Sequence, residues 1–288
     1  MTKLPGTYDF VSYVEPDPQP GTQVLASEAA VAISFNGINH AVMMATPCDL
    51  EDFAIGFSLC NGIATSAHQV LDVETAFVEN AVTLDITLNQ RAMQQFRQAR
   101  RALAGTSGCG LCGVEALEQA LAPPGAAVGA PGSLYPQRQT PAALPALAHL
   151  RELRQRFRES QQQRCSRGAM HAALFVDGDG NTRACREDIG RHNALDKLLG
   201  ACARESIGLE GGFVAITSRC SLELVQKAVR AGVSTLVSLA SPSDLCVRWA
   251  QQYHLNLIHM TSQDSPRVYS PAPVEAKRLM ASNVKEGP

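Results

Sequence analysis

Cys109 and Cys112 flank two residues in the glycine-rich run Gly105-Thr-Ser-Gly-Cys-Gly-Leu-Cys-Gly113. Glycine leaves a backbone loose and covers nothing, so both sulfurs are open to reaction rather than packed. The next stretch, Val114-Glu-Ala-Leu-Glu-Gln-Ala-Leu121, is rich in helix formers, which sets Cys112 at or near a helix N-terminus. Free N–H groups and the helix dipole there favour a thiolate over a thiol. Such a pair has three chemical uses. Structural zinc needs four ligands, usually two such cysteine pairs, and the chain holds no second C-x-x-C. Dithiol redox chemistry suits a C-x-x-C in a cytosolic protein, but no apolar strand and no aromatic residue directly precedes this one. The third use is carriage: a thiolate attacks an activated sulfur, holds it as a persulfide and passes it on. On the residues alone, the second and third readings both stand.

Two further groups of polar residues bear on what that sulfur meets. Glu187, Asp188, Arg191, His192, Asn193, Asp196 and Lys197 fall within 11 consecutive positions. Asp188 and His192 are four apart, so a helix beginning that early would set them on one face. The other group lies where strands should end: Thr217-Ser-Arg-Cys-Ser221, Ala240-Ser-Pro-Ser-Asp244 and Met260-Thr-Ser262. Ser221 and Ser243 read as helix N-caps. Together with Ser218 and Arg219, they offer hydroxyls, free N–H groups and a guanidinium to a phosphate.

The elements that position these residues follow from periodicity. Two β-prone runs, Ala29–Phe35 and Ile38–Met44, meet at Asn36-Gly37, a strong hairpin signal. A helix follows over Asp49–Leu59 with Gly62 as its C-cap, then strands over Val70–Phe77 and Ala81–Leu88, then a polar helix over Gln90–Ala104. Six of the 16 prolines lie between Ala122 and Pro145, a composition that reads as linker. A helix dense in arginine and glutamine, Leu147–Arg164, reads as a solvated face. The last third alternates apolar strands (Ala172–Val176, Phe213–Thr217, Thr235–Leu239, Leu255–Met260) with helices near Gly190–Ala203, Ser221–Ala231 and Ser243–Tyr253. That alternation implies an α/β fold with a largely parallel sheet, and ligands beyond the carboxyl ends of its strands.

Composition narrows the class. A formal net charge of -2 excludes the basic field of a nucleic-acid binder. No apolar run is long enough to span a membrane, and residues 1–10 lack the apolar core of a signal peptide. Nine cysteines, seven of them scattered singly, do not form a secreted disulfide framework, so the cytoplasm is expected. Cys60, Cys202 and Cys246 read as small buried hydrophobes.

Four ordered motifs resemble one family. Thr106–Gly113, His171-Ala-Ala-Leu-Phe with Glu187–Lys197, Ser218-Arg-Cys-Ser-Leu-Glu-Leu-Val-Gln-Lys-Ala228, and Asn36-Gly37 with Met44-Ala-Thr-Pro-Cys-Asp-Leu-Glu-Asp-Phe-Ala-Ile-Gly-Phe57 are similar to the FdhD accessory sulfurtransferases of formate dehydrogenase. The resemblance implies a small N-terminal α+β domain over 1–121, ending in the cysteine loop. It also implies a linker and basic helix over 122–165, and a cytidine-deaminase-like α/β domain over 166–288 without the deaminase zinc ligands. It further implies a sulfurtransferase taking sulfur from a cysteine desulfurase to the bis-molybdopterin guanine dinucleotide of formate dehydrogenase, as a homodimer with no structural metal. Cys109 would carry the persulfide and Cys112 would resolve or relay it, although the helix argument by itself favours Cys112 as the thiolate. Asp188, Arg191, His192, Asn193, Ser218, Arg219 and Ser221 would line or support the cofactor pocket. Two positions depart from the family pattern. His259-Met-Thr-Ser-Gln-Asp-Ser265 lacks two arginines expected there, leaving Arg267 or Arg219 to supply charge, and Ser218 replaces a glycine. A dithiol oxidoreductase and a non-catalytic cofactor chaperone are the alternatives on the same residues.

Overall fold

The computed structural model describes residues 7–13, 17, 19–79, 81–104, 139–162, 169–263 and 265–285. Alternation builds its first sheet. In β3 (Ala29–Phe35) every second residue is buried, and Asn36 and Gly37 both adopt positive φ, the geometry a two-residue hairpin turn requires. The chain returns as β4 (Ile38–Ala45), and β5 (Val70–Val78) and β6 (Ala81–Leu88) complete a four-stranded sheet in the order β4-β3-β6-β5. One face of this sheet packs Val31, Ile33, Phe35, Leu84 and Ile86 against Phe53 and Phe57 of α1 (Leu50–Cys60) and Met93 and Phe96 of α2 (Gln90–Ala104). A separate hairpin, β1 (Thr7–Ser12) with β2 (Gln19–Val24), precedes it and was not expected from sequence.

The second sheet has six strands in the order β12-β11-β10-β9-β7-β8. These are β7 (His171–Val176), β8 (Thr182–Asp188), β9 (Phe213–Ile216), β10 (Thr235–Ser238), β11 (Asn256–Met260) and β12 (Pro266–Ser270). The α/β class stands as read. Within this sheet, however, parallel pairing is confined to β9-β10-β11; β7, β8 and β12 all join antiparallel. The three parallel strands are buried on both faces, as crossover helices demand. Helices α5 (Arg191–Arg204), α6 (Leu222–Arg230) and α7 (Asp244–Gln252) cover one face. The other is covered from a segment read as linker and solvated helix. That helix breaks at Glu152 into α3 (Leu147–Arg151) and α4 (Leu153–Ser160), and Leu144, Leu150, Leu153 and Phe157 enter the core. The last helix, α8 (Pro273–Lys285), follows β12.

The two sheets meet through α1 and α5, which cross backbone to backbone. A Cβ at Gly56 would lie 1.7 Å from the Asp196 carbonyl oxygen, and one at Gly200 would lie 1.8 Å from that of Asp52. No side chain fits at either position. Among the described residues no helix is long and apolar enough to cross a membrane.

Candidate functional site

At the carboxyl edge of β9 and β10 the chain turns directly into α6 and α7. Ser221 and Ser243 occupy the N-cap positions with the extended backbone such caps have, yet neither side chain caps its helix. Ser221 Oγ lies 3.1 Å from His192 Nε2, and Ser243 Oγ lies 3.0 Å from Cys246 Sγ. The expected capping bonds are therefore replaced: both serine hydroxyls bond a neighbouring side chain instead of a first-turn N–H group. That is the arrangement in which an anion serves as the cap.

Cationic groups gather beside it. Antiparallel pairing of β7 with β9 brings His171 to this edge, where the Ala172 N–H donates to Thr217 Oγ1 at 3.0 Å. Helix α5 starts here with Arg191 and His192. His192 Nε2 is 3.3 Å from Glu223 Oε2 on α6. Burial holds the His192 imidazole below its ordinary value, Arg191, Lys227 and His171 push the same way, and Glu223 opposes them. His171 is lowered by burial and then by Arg191. Among the described residues neither Arg191 nor the exposed Arg219 has a carboxylate partner. Ser218 is buried, and its hydroxyl donates to the Arg219 carbonyl at 3.1 Å, so it shapes the turn.

Asp188 and Asn193 behave differently. Helix α5 begins at Arg191, not earlier, so Asp188 sits at the end of β8 and shares no helix face with His192. Its carboxylate is fully buried and accepts from Lys197 Nζ at 2.7 Å, the Thr46 N–H at 3.0 Å, the Gly190 N–H at 2.7 Å and Asn193 Nδ2 at 3.0 Å. Asn193 Nδ2 also reaches the Met44 carbonyl at 2.9 Å. These two residues tie the β4–α1 turn to the start of α5. They support the edge and present no surface to a ligand.

Sequence reasoning missed the partners of these groups. Lys227 on α6 is buried against Asp196 at 2.8 Å, and Asp52 on α1 holds Arg186 and Arg204 at 2.7 Å each. Charged residues in otherwise apolar helices were the available signal, but the pairs lie 31 to 152 residues apart. Arg267 of β12 stands opposite His259 of β11, so the one arginine near the altered segment is beside that edge. His254 and His259 have a metal-like spacing, but His254 sits in the turn before β11, at positive φ, and His259 lies within the strand. Among the described residues no His, Cys, Asp and Glu cluster is arranged to hold a metal. Cys109 and Cys112, the expected catalytic pair, lie outside the described residues, as does Cys165.

Residues 26–274 match the model of the FdhD/NarQ family. The chain is 42% identical over 246 residues to the sulfur carrier protein FdhD of Cupriavidus necator, covering 85% of this chain and 81% of that one. It is also 42% identical over 249 residues to the protein of the same name from Xanthomonas euvesicatoria, covering 86% and 84%. Its fold is similar to the crystal structure of a protein from Desulfotalea psychrophila assigned as a formate dehydrogenase accessory protein. That match has a TM-score of 0.67 at 19% identity, and covers 94% of this chain and 98% of that one.

Proposed function

The chain belongs to the FdhD/NarQ family, and from that premise we propose that it is a sulfurtransferase serving formate dehydrogenase. The observation that carries this reading is the 42% identity over most of the chain to proteins named as sulfur carriers. Cys109 supplies the accepting thiolate. It attacks the outer sulfur of a persulfide on a cysteine desulfurase; a new S–S bond forms at Cys109, and the donor cysteine leaves as a thiolate. The sulfur is then handed to bis-molybdopterin guanine dinucleotide as substrate. When Cys112 attacks the inner sulfur of the Cys109 persulfide, a Cys109–Cys112 disulfide forms and the outer sulfur departs as sulfide, with the dithiol supplying both electrons. Such exchange needs thiols that stay reduced at rest, which suits the cytoplasm.

The acceptor is rich in phosphate, and the carboxyl edge is suited to phosphate: two helix N-termini whose serines do not cap them, Arg191 and Arg219 with no carboxylate partner among the described residues, and the His192–Ser221 pair. Incubation with cysteine and a desulfurase should add about 32 Da per transferred sulfur, and Cys109→Ala should abolish the gain. A protein that gains no sulfur at Cys109 under these conditions is not a carrier of this kind.

A further inference from the structure

Helix α2 carries Arg91, Arg97, Arg100 and Arg101 and not one acidic residue, in a chain whose net charge is -2. Arg91, Arg97 and Arg100 are exposed. Among the described residues none of these three meets a carboxylate, and Arg100 lies over the Phe96 ring at 5.9 Å. Other arginine-bearing helices behave differently. Arg156 of α4 pairs with Glu152 at 2.6 Å, and Arg248 of α7 pairs with Asp244 at 3.1 Å, each across one helical turn. Such pairs balance the charge of a solvated helix face. In α2, Arg91 even stands in the first turn, where the helix dipole disfavours a cation and no acidic residue offsets it. Helix stability does not account for that arrangement.

A groove of about 460 Å³ borders the same helix. Gln90, Gln94 and Gln98 recur every four residues and line it as one row, with Arg97 beside the last. Met93 and Leu88, both buried, supply its apolar part. Side-chain amides suit the N–H and C=O groups of an extended partner backbone, and a guanidinium suits a carboxylate. The groove therefore fits a protein segment that is acidic and carries an aliphatic side chain.

The place of α2 in the chain decides which partner. The helix ends at Ala104, and the five residues from there to Cys109 span at most about 18 Å. A protein seated on α2 thus brings its own reactive group within reach of Cys109. Sulfur transfer from a protein-bound persulfide needs such seating, because neither sulfur can leave its chain beforehand. Helix α2 packs on the first sheet, whereas the phosphate-suited edge belongs to the second, so donor and acceptor need not compete for one surface. We propose that α2 and its groove are the docking surface for the sulfur donor, which presents an acidic segment to it. The inference rests on the sulfur-carrier reading and adds the chemistry by which the donor is recognised. Exposed guanidiniums steer an acidic partner from a distance, and the groove fixes its register.

The test compares the native full chain with two variants, Arg91→Glu/Arg97→Glu/Arg100→Glu and Arg91→Lys/Arg97→Lys/Arg100→Lys. Each receives sulfur either from a cysteine desulfurase with cysteine or from free cysteine persulfide, and mass spectrometry times the gain of about 32 Da at Cys109. Charge reversal should slow the desulfurase-fed gain roughly tenfold or more at low salt. The lysine variant should lose far less, and salt raised to about 0.3 M should narrow the gap. Cysteine persulfide should load all three proteins at one rate, which also shows that the reversed chain is folded with a working Cys109. Equal desulfurase-fed rates for the native and reversed chains would overturn the docking proposal and leave the sulfur-carrier reading intact. Slowing with both donors would overturn it too, since the arginines would then act on Cys109 itself. Unchanged desulfurase transfer with lost binding of a single-stranded oligonucleotide would assign the helix to nucleic acid instead. A native chain that takes no sulfur from the desulfurase would end the sulfur-carrier reading, and the docking proposal with it.

Discussion

Helix α5 begins at an open edge and runs into a closed seam, and its charged residues have opposite fates at the two places. At the seam, Lys197 and Asp188 are both fully buried and paired at 2.7 Å, Asp196 pairs with Lys227, and Asp52 pairs with Arg186 and Arg204. At the edge, Arg191 and Arg219 lack carboxylate partners among the described residues, and two N-cap serines bond elsewhere. Charge that is satisfied within the fold holds the two sheets together. Charge left unsatisfied at a surface is available to something outside the chain. The difference lies in partners, not in residue type.

The strongest way to break this contrast is at Lys197. Lys197→Met leaves the Asp188 carboxylate buried without its cation, and removing one member of a buried pair costs about 3–5 kcal/mol. Chemical denaturation should show that loss, and Asp188→Asn added to Lys197→Met should recover much of it, because the uncompensated charge is gone. A loss below about 1 kcal/mol for the single change would mean that the seam is not held by this pair.

Lys197 also shows where sequence reading stops. Hairpin, strand and helix positions around it were legible, because side-chain periodicity is local: β3, α1, β5, β6 and α5 to α7 fall within a residue or two of where pattern put them. Which polar residues meet was not legible. Asp188, His192 and Asn193 stood together in one motif, but β8 ends and α5 begins between the first two, which sends Asp188 inward and His192 outward. The partners of Asp188 lie at Thr46 and Lys197, and only the crossing of α1 over α5 brings the former there. β12 escaped because it is short and follows a polar turn. The segment 144–160 was read as solvated because its four arginines equal in number the four apolar residues that reach the core.

An intermediate effect is expected at the edge. Arg219 is exposed and has no carboxylate partner among the described residues, so Arg219→Gln should leave folding stability within about 0.5 kcal/mol. A charged hydrogen bond to phosphate is worth about 1.5–3 kcal/mol, so affinity for inorganic pyrophosphate should fall roughly tenfold or more. Calorimetric titration beside thermal denaturation separates the two. Lost stability with unchanged affinity would place Arg219 with the seam residues, and the contrast would fail.

The smallest effect is the most discriminating, because it acts with opposite sign on folding and on binding. His192 faces Ser221, Glu223 and Lys227 of α6, Arg191 on its own helix and His171 of β7, and its net shift is downward, with burial as the leading cause. The unfolded chain therefore takes up the proton at higher pH than the folded one. Stability contributed by neutral His192 is present above the ordinary histidine range near 6.5 and declines as pH falls through it toward the lowered folded value. A bound phosphate reverses the local balance, since negative charge at the α6 N-terminus favours imidazolium. Across the same window, then, acid should weaken the fold slightly while strengthening pyrophosphate binding. His192→Gln should flatten both trends, and the ring-proton resonance of His192 should titrate at higher pH with pyrophosphate present than without it. A titration midpoint unmoved by pyrophosphate would remove His192 from the edge's anion-facing groups and leave it a helix-start residue paired to Ser221 for structure alone.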